Sequence, residues 1–463
     1  MKEHKISADL FTFPYRGRYV VYAPFRRLAF MANDATVAML EEMMKGAYES
    51  GNSEEEKKVL RFLKDKGIYD SEPEKKPFVT ERGPFLPQAV TLFLTNRCNL
   101  RCIYCYAFGG EFRAKDMPWP MAQRAIDWVA ENAQRAGAKE FGVAFHGGGE
   151  PLVAWKLLQK SVNYARSLAK KLEMSVRCPS ATNGVMNSDQ VQWVIENLNS
   201  LSISLDGTPD MQNRQRPLAN GRESYPQVAA TIKALDKAGF DYGLRATITD
   251  YNVARMPEIV DFFHHNFKTR QVQFEPLFIC GRCLTSGAQS PDQRVFLRQF
   301  LKAQEKAEKY GINLTYSGLR LQFLTNTFCG AASDNFCVTP RGDVTSCFEV
   351  LEKSDPRSEF FFYGKYDTQK GDFQIWEEKR KALLSTTVEN IPHCADCIAK
   401  WHCAGDCPSK VLYDGGRNNG NTFSRCWVNQ EATKKAIVRR IKKQGRAMQG
   451  VEHQQNVPTG GQC

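Results

Sequence analysis

The stretch AVTLFLTNRCNLRCIYC, residues 89–105, joins an apolar, β-branched run to three cysteines spaced C-x3-C-x2-C. Residues 89–95 have the composition of a buried strand, and Cys98, Cys102 and Cys105 follow it on one short loop. Three thiolates so placed can each take one iron of a cubane [4Fe–4S] cluster and leave the fourth iron open. An open iron can bind a small molecule, which makes a cluster a catalyst instead of an electron store. Taken alone, the spacing also allows a zinc site or three incidental thiols.

Downstream, strand-like and helix-like runs alternate. Strands are predicted at 89–95, 141–146, 174–182, 201–206, 242–249 and 272–279, and helices at 119–136, 154–172, 188–197, 225–239, 254–266 and 292–310. Six parallel strands with crossover helices predict an α/β fold, a partial (β/α)6 TIM-like barrel short of eight-fold closure. Polar clusters follow the strands in step: HGGGEPL (146–152), ATNG (181–184) and SISLDG (202–207). Small residues let backbone approach a ligand closely, and Glu150 can accept from an ammonium group. In α/β barrels the C-terminal strand ends carry the active site.

Residues 1–85 contain no cysteine and read as a small α+β domain. A strand pair is predicted at 17–24 and 26–32, then a helix capped by Asn33 and another beginning after Ser53 and ending at Gly67. The polar stretch 71–84 reads as a linker. Residues 86–310 hold the barrel. From 311 to 430 periodicity fades and Cys, Gly and Asp dominate, so this segment is expected to need metals to hold it. It contains Cys329, Cys347, Cys394, Cys397, Cys403, Cys407 and Cys426, more thiols than one tetrahedral zinc uses, and a zinc ribbon over 394–407 would leave three of them idle. Residues 431–463 read as a basic helix and flexible tail. Seven of the basic residues lie in 434–446 without an acid, leaving +5 of the net +12 for the rest of the chain. That helix has few aromatics, so no nucleic-acid stacking surface is expected. No signal peptide or apolar membrane span is visible, so a cytoplasmic protein with reduced thiols and no membrane partner is expected.

The ordered motifs between about 88 and 430 resemble those of radical S-adenosylmethionine (SAM) enzymes. The resemblance implies that Cys98, Cys102 and Cys105 hold the cluster whose open iron chelates SAM, and that SAM is cleaved to a 5′-deoxyadenosyl radical. Tyr104 would lie near the adenine, and Gly148, Gly149 and Glu150 would meet the amine. Asn183, Ser204 and Asp206 would serve the ribose and carboxylate region, with Arg216 and Arg245 as further candidates for the carboxylate. Gln212–Asn213 stand where the family usually has His–Asp, so no role passes to Gln212.

The tail thiols are similar to the seven-cysteine pattern of the SPASM auxiliary-cluster domain of peptide-modifying radical SAM enzymes. That similarity implies three [4Fe–4S] clusters in all. Cys394, Cys397, Cys403 and Cys426 would hold a distal one, and Cys329, Cys347 and Cys407 a proximal one. The proximal set is one ligand short. Cys337, Cys280 or Cys283 could fill it, or the iron stays open to substrate. The head resembles the winged-helix element that binds leader segments of ribosomally made peptides; a cap on the barrel is the alternative.

The implied function is a peptide maturase that abstracts a hydrogen from a precursor peptide carrying a leader. It would install a crosslink, with a thioether preferred over C–C or C–O on the strength of an open proximal iron, and take electrons from a donor such as flavodoxin or ferredoxin. A sulfatase-maturing, formylglycine-generating enzyme and a peptide epimerase are the alternatives. The first is disfavoured because Phe348, and not an acid, follows Cys347.

Overall fold

The computed structural model describes residues 6–48, 53–78, 83–413 and 425–455, the last of these by backbone alone beyond 443. Cys463 and the Gly- and Gln-rich end from 456 lie outside the described residues.

In the head, β1 (Phe11–Tyr15), β2 (Arg18–Ala23) and β3 (Leu28–Ala32) form an antiparallel sheet in that order. Only β2 and β3 were legible as strands. FTFPY carries Pro14, which argues against a central strand but is tolerated at an edge, where β1 lies. Helices Asp34–Lys45 and Glu54–Asp65 follow. Asn33 accepts the Thr36 amide at 2.9 Å, and Ser53 with Glu56 forms a capping box, so both predicted starts hold.

The parallel strands are β4 (Ala89–Leu92), β5 (Glu140–Phe145), β6 (Ser175–Arg177), β7 (Ser180–Thr182), β8 (Leu201–Ser204), β9 (Tyr242–Ile248) and β10 (Gln271–Pro276). The run predicted as one strand over 174–182 is two pieces, β6 and β7, broken at Cys178–Pro179. Crossover helices cover the outer face at Trp119–Arg135, Trp155–Lys171, Ser188–Asn197, Tyr225–Ala238 and Met256–Asn266, within two residues of expectation. A short helix, Pro209–Gln215, was not foreseen because PDMQNRQ has no apolar period.

The barrel stays open. Beyond β10 the sheet gains β11 (Asn313–Thr315). At the other edge, β12 (Cys337–Val338) pairs parallel to β4 and continues into β13 (Asp343–Thr345), β14 (Phe362–Asp367) and β15 (Asp372–Ile375). The cysteine-rich segment thus extends the barrel sheet at both edges. It also shares its core, since Phe336, Val338, Val344, Phe361 and Tyr363 pack in one cluster with Leu92, Val129 and Phe145. Its apolar side chains complete the core of the barrel.

The head is fastened to this body by aromatic contacts. Trp401, 1% exposed, meets Phe25 at 5.0 Å edge-on and stacks on Phe78 at 5.4 Å, and its indole N–H donates to Asp9 at 2.9 Å. Phe78 belongs to the stretch read as a linker, whose Glu74 also pairs with Arg26 at 3.3 Å. The basic helix, Arg425–Gln455, is a strut: Ile437 packs with Phe11, Phe13 and Trp401, and Lys443 pairs with Glu308 at 3.5 Å. Trp401→Ala is expected to cost about 3–5 kcal/mol in denaturant unfolding and to open residues 71–78 to protease. Wild-type resistance to cleavage in the variant would contradict this docking.

Candidate active site

The C-terminal ends of β4, β5, β7, β8, β9 and β10 converge on a cavity of about 480 Å³. Cys98, Cys102 and Cys105 line it. Arg101 wraps their loop, its guanidinium donating to the carbonyls of Cys98, Leu100 and Gly110 at 2.8–3.0 Å. Each sulfur has its own donor. The Asn183 amide is 3.9 Å from Cys98 Sγ, the Arg216 guanidinium 3.8 Å from Cys102 Sγ, and the Gly109 N–H 3.4 Å from Cys105 Sγ. Donors of this kind lower the charge that a thiolate–iron site presents to a dry cavity. Burial, with the neighbouring thiols adding, pushes Cys98 up to about 12, and burial pushes Cys102 up to about 11. Loading iron must therefore release protons. Among the described residues no three His, Cys, Asp or Glu side chains converge as a single ion requires. Three cavity-lining thiols, each with its own donor, fit a cluster.

The glycine loop is packed tightly against the segment that leads to Cys98. A Cβ on Gly149 would lie 1.9 Å from the Arg97 carbonyl, and Gly148 has φ +69. Gly149 N–H donates to Thr95 O and Glu150 N–H to Arg97 O, both at 2.9 Å, so the loop zips onto the backbone that leads to Cys98. Close approach is to the neighbouring chain segment, and both glycines also line the cavity. Glu150 is 3% exposed and accepts from Leu152 N, Thr182 Oγ1 and Asn183 N at 3.2, 2.9 and 2.7 Å. Burial outweighs these donors and raises its carboxyl to about 7.

Tyr104, Asn183, Ser204 and Arg216 line the cavity, and Arg245 reaches it from β9. Asp206 does not. It is fully buried behind the wall, where it takes the Tyr104 hydroxyl, Gln215 Nε2 at 2.7 Å, Thr247 N at 2.9 Å and an ion pair with Arg216 at 3.1 Å. Its position fixes Tyr104 and Arg216, whose guanidinium stands 5.1 Å from the Tyr104 ring. Gln212, fully buried, accepts the Asp206 amide at 3.0 Å and so braces that carboxylate's segment.

Cys329, Cys347 and Cys407 line the same cavity, as do Glu349, Cys280 and Lys410. Cys337 is fully buried on β12 among Phe93 and Leu351 and is not on the cavity wall. Cys394, Cys397, Cys403 and Cys426 lie apart from the cavity, where the 392–403 segment meets the start of the basic helix; Cys403 Sγ accepts from Asn429 at 3.1 Å. Residue-by-residue reading missed His146, Gln215 and Arg282. His146 stacks on Phe348 with centroids 4.7 Å apart, and burial holds its imidazole at about 4. The HGGGE motif contained it, but nothing local marked it as a wall residue.

Residues 92–263 match the model of the Radical SAM superfamily. Among curated relatives, an uncharacterized protein of Methanocaldococcus jannaschii is 28% identical over 40% of this chain, and the match spans 61% of the relative's length. The serine-type anaerobic sulfatase-maturating enzyme of Klebsiella aerogenes is 24% identical over 68% of this chain and 78% of its own. The mycofactocin maturase of Mycobacterium ulcerans is 23% identical over 72% and 86%. Among solved structures, a native anSMEcpe with bound AdoMet and Cp18Cys peptide superposes with a TM-score of 0.59 at 16% identity, covering 77% of this chain and 99% of that one. This likeness shows a shared fold.

The buried Glu150 gives a prediction with a definite sign. Its carboxyl titrates from 4.5 in the unfolded chain to about 7 in the folded one. Between those values the folded protein holds a proton that the unfolded chain gives up, so stability falls as pH rises through that window and is level above it. In the metal-free chain, wild type should lose up to about 3 kcal/mol relative to Glu150→Gln between those pH values. Parallel unfolding curves across the window would contradict it.

Proposed function

We propose that this chain, which carries a radical SAM domain over residues 92–263, modifies a peptide by hydrogen abstraction in the cavity described above. Cys98, Cys102 and Cys105 would hold a cluster that would give one electron to bound SAM, whose cleavage would supply the carbon radical that takes a hydrogen atom from the substrate. The chain's residues hold, orient and enclose the reactants. Arg216, kept in place by Asp206, offers a fixed cation for the SAM carboxylate. Glu150 and the glycine loop lie on the side expected to take the amine. Tyr104 offers a flat buried ring for the adenine, and Asn183 and Ser204 offer polar groups for the ribose region.

The observation that carries this reading is that one cavity is lined by both thiol sets, the Cys98 group and Cys329, Cys347 and Cys407. Substrate held there would sit between the site that takes its hydrogen and a second cluster able to accept the remaining electron. A third cluster on Cys394, Cys397, Cys403 and Cys426 would extend that path towards an external carrier such as flavodoxin or ferredoxin. The substrate is a ribosomally made precursor peptide, and the product a crosslink within it. Its leader would add as a strand to an edge of the head sheet, β1 or β3. No helix among the described residues is long and apolar enough to cross a membrane, and a cytoplasmic setting would keep the thiols reduced.

A second reading is sulfatase-type maturation, which oxidises one Cys or Ser without joining two residues. It is favoured by Glu349, which reaches the cavity although it stands one place later than expected. Anaerobic incubation with SAM, a low-potential reductant and the precursor peptide is expected to give 5′-deoxyadenosine and a peptide lighter by two hydrogens, with fragmentation blocked across the crosslink. Intact clusters that never cleave SAM with any peptide present would overturn both readings. Formylglycine at a single position would overturn the first alone.

A further inference from the structure

Cys329, Cys347 and Cys407 supply three ligands where a cubane cluster takes four. A fourth thiol shares their cavity. Cys280 stands in the loop after β10, in the barrel, and lines the wall together with those three. The four sulfurs have a common charged neighbour. Glu349 is the foremost charge acting on Cys280, Cys347 and Cys407, and it also acts on Cys329. Arg357 and Lys410 act on Cys280, and Lys410 acts on Cys329 and Cys407 as well.

Hydrogen bonds tie Glu349 to both arms of the triad. Its backbone N–H is 3.4 Å from Cys347 Sγ, and its carboxylate accepts from Ser409, two residues past Cys407, at 3.1 Å.

The loop that carries Cys280 is clamped. Arg282 donates through its backbone to Cys105 O at 2.9 Å and through its guanidinium to Cys102 O at 2.7 Å and Gly109 O at 3.1 Å. Gly281 has φ +61, and a Cβ there would meet Cys105 O at 2.4 Å. The loop is thus pressed against the Cys98–Cys105 loop while Cys280 faces the cavity. Cys283 is excluded from the same role. Its sulfur takes the Cys280 N–H at 2.9 Å, it packs with Tyr104, Leu277 and Ala288, and it is not on the wall. Cys337 is sealed on β12, opposite Thr91.

We propose that Cys280 is the fourth thiolate of the proximal cluster, so that a barrel loop completes a site otherwise built by the cysteine-rich segment. The proposal rests on the presence of that cluster, as read above. Ligation transfers no electron: the thiol gives its proton to solvent and the sulfur binds iron. A rigid loop of backbone, 281–282 against 102–109, then links the two cluster sites. With the fourth position filled by the chain, the ground for preferring a thioether product falls away, because substrate sulfur has no open proximal iron to bind.

The test is low-temperature EPR and iron and sulfide analysis of the full chain, reconstituted anaerobically and reduced. Cys280→Ala should alter one cluster's signal, and that signal should shift further on titration with 2-mercaptoethanol. With SAM in excess to fill the open iron beside Cys98, Cys102 and Cys105, the wild type should not respond to the thiol. Cys280→Ser should keep its iron with a shifted signal, and Cys337→Ala should match wild type. A Cys280→Ala spectrum identical to wild type, or a wild-type cluster that takes up the added thiol with SAM present, would overturn the proposal. If Cys280→Ala does not fold, Cys280→Ser and the wild-type titration decide. A Cys329→Ala, Cys347→Ala, Cys407→Ala triple variant with wild-type iron content and spectrum would instead remove the proximal cluster itself, and the proposal with it.

Discussion

The pairing of β12 with β4 is the constraint on which the rest of the site depends. Cys337 and Val338 lie opposite Thr91 and Leu92, joined by Thr91 N–H to Phe336 O at 2.9 Å and Phe93 N–H to Val338 O at 3.0 Å. β4 delivers the chain to Cys98 six residues on, and the β12–β13 turn delivers it to Cys347. Two backbone bonds therefore set two thiol groups, more than two hundred positions apart in sequence, against one cavity. Phe93 buries itself beside this seam and meets Phe348 edge-on at 6.2 Å, so the strand pair and the cavity wall are packed as one piece.

A second fixed point lies beneath the wall. Asp206 is fully buried, yet it is satisfied by a hydroxyl, two amide donors and a guanidinium. A buried carboxylate whose oxygens meet several donors is fixed in position. It hands that rigidity to Arg216 and Tyr104, the side chains that face the ligand space. The residue nearest in motif terms to a ligand-binding acid thus acts from one layer back. Removing one member of such a buried pair typically costs about 3–5 kcal/mol, so its loss would be felt in folding before chemistry.

What could be read in the sequence was local. C-x3-C-x2-C, GGE, TNG and SLDG each occupy a few consecutive residues at a strand end, and the alternation of strands and helices places them on one face. The helix spans and caps were legible for the same reason. Contacts across the chain were not. Nothing near Arg282 announces that its guanidinium reaches Cys102 O and Gly109 O, and nothing in ICGRC separates Cys280, on the cavity wall, from Cys283, turned into the core. Cys337 sits inside the cysteine motif by position but belongs to a strand. The basic helix shows the limit from the other side: its run of charge says nothing of its packing, while Ile437 and the Glu308 ion pairs make it part of the scaffold.

The central claim is that one cavity has iron–sulfur sites on both its walls. Anomalous diffraction at the iron edge from crystals of the anaerobically reconstituted chain tests it most directly. The account predicts a cluster-sized iron peak beside Cys98, Cys102 and Cys105, and a second across the cavity beside Cys329, Cys347 and Cys407. Iron at only one of these walls, or a single zinc ion at either, would contradict it.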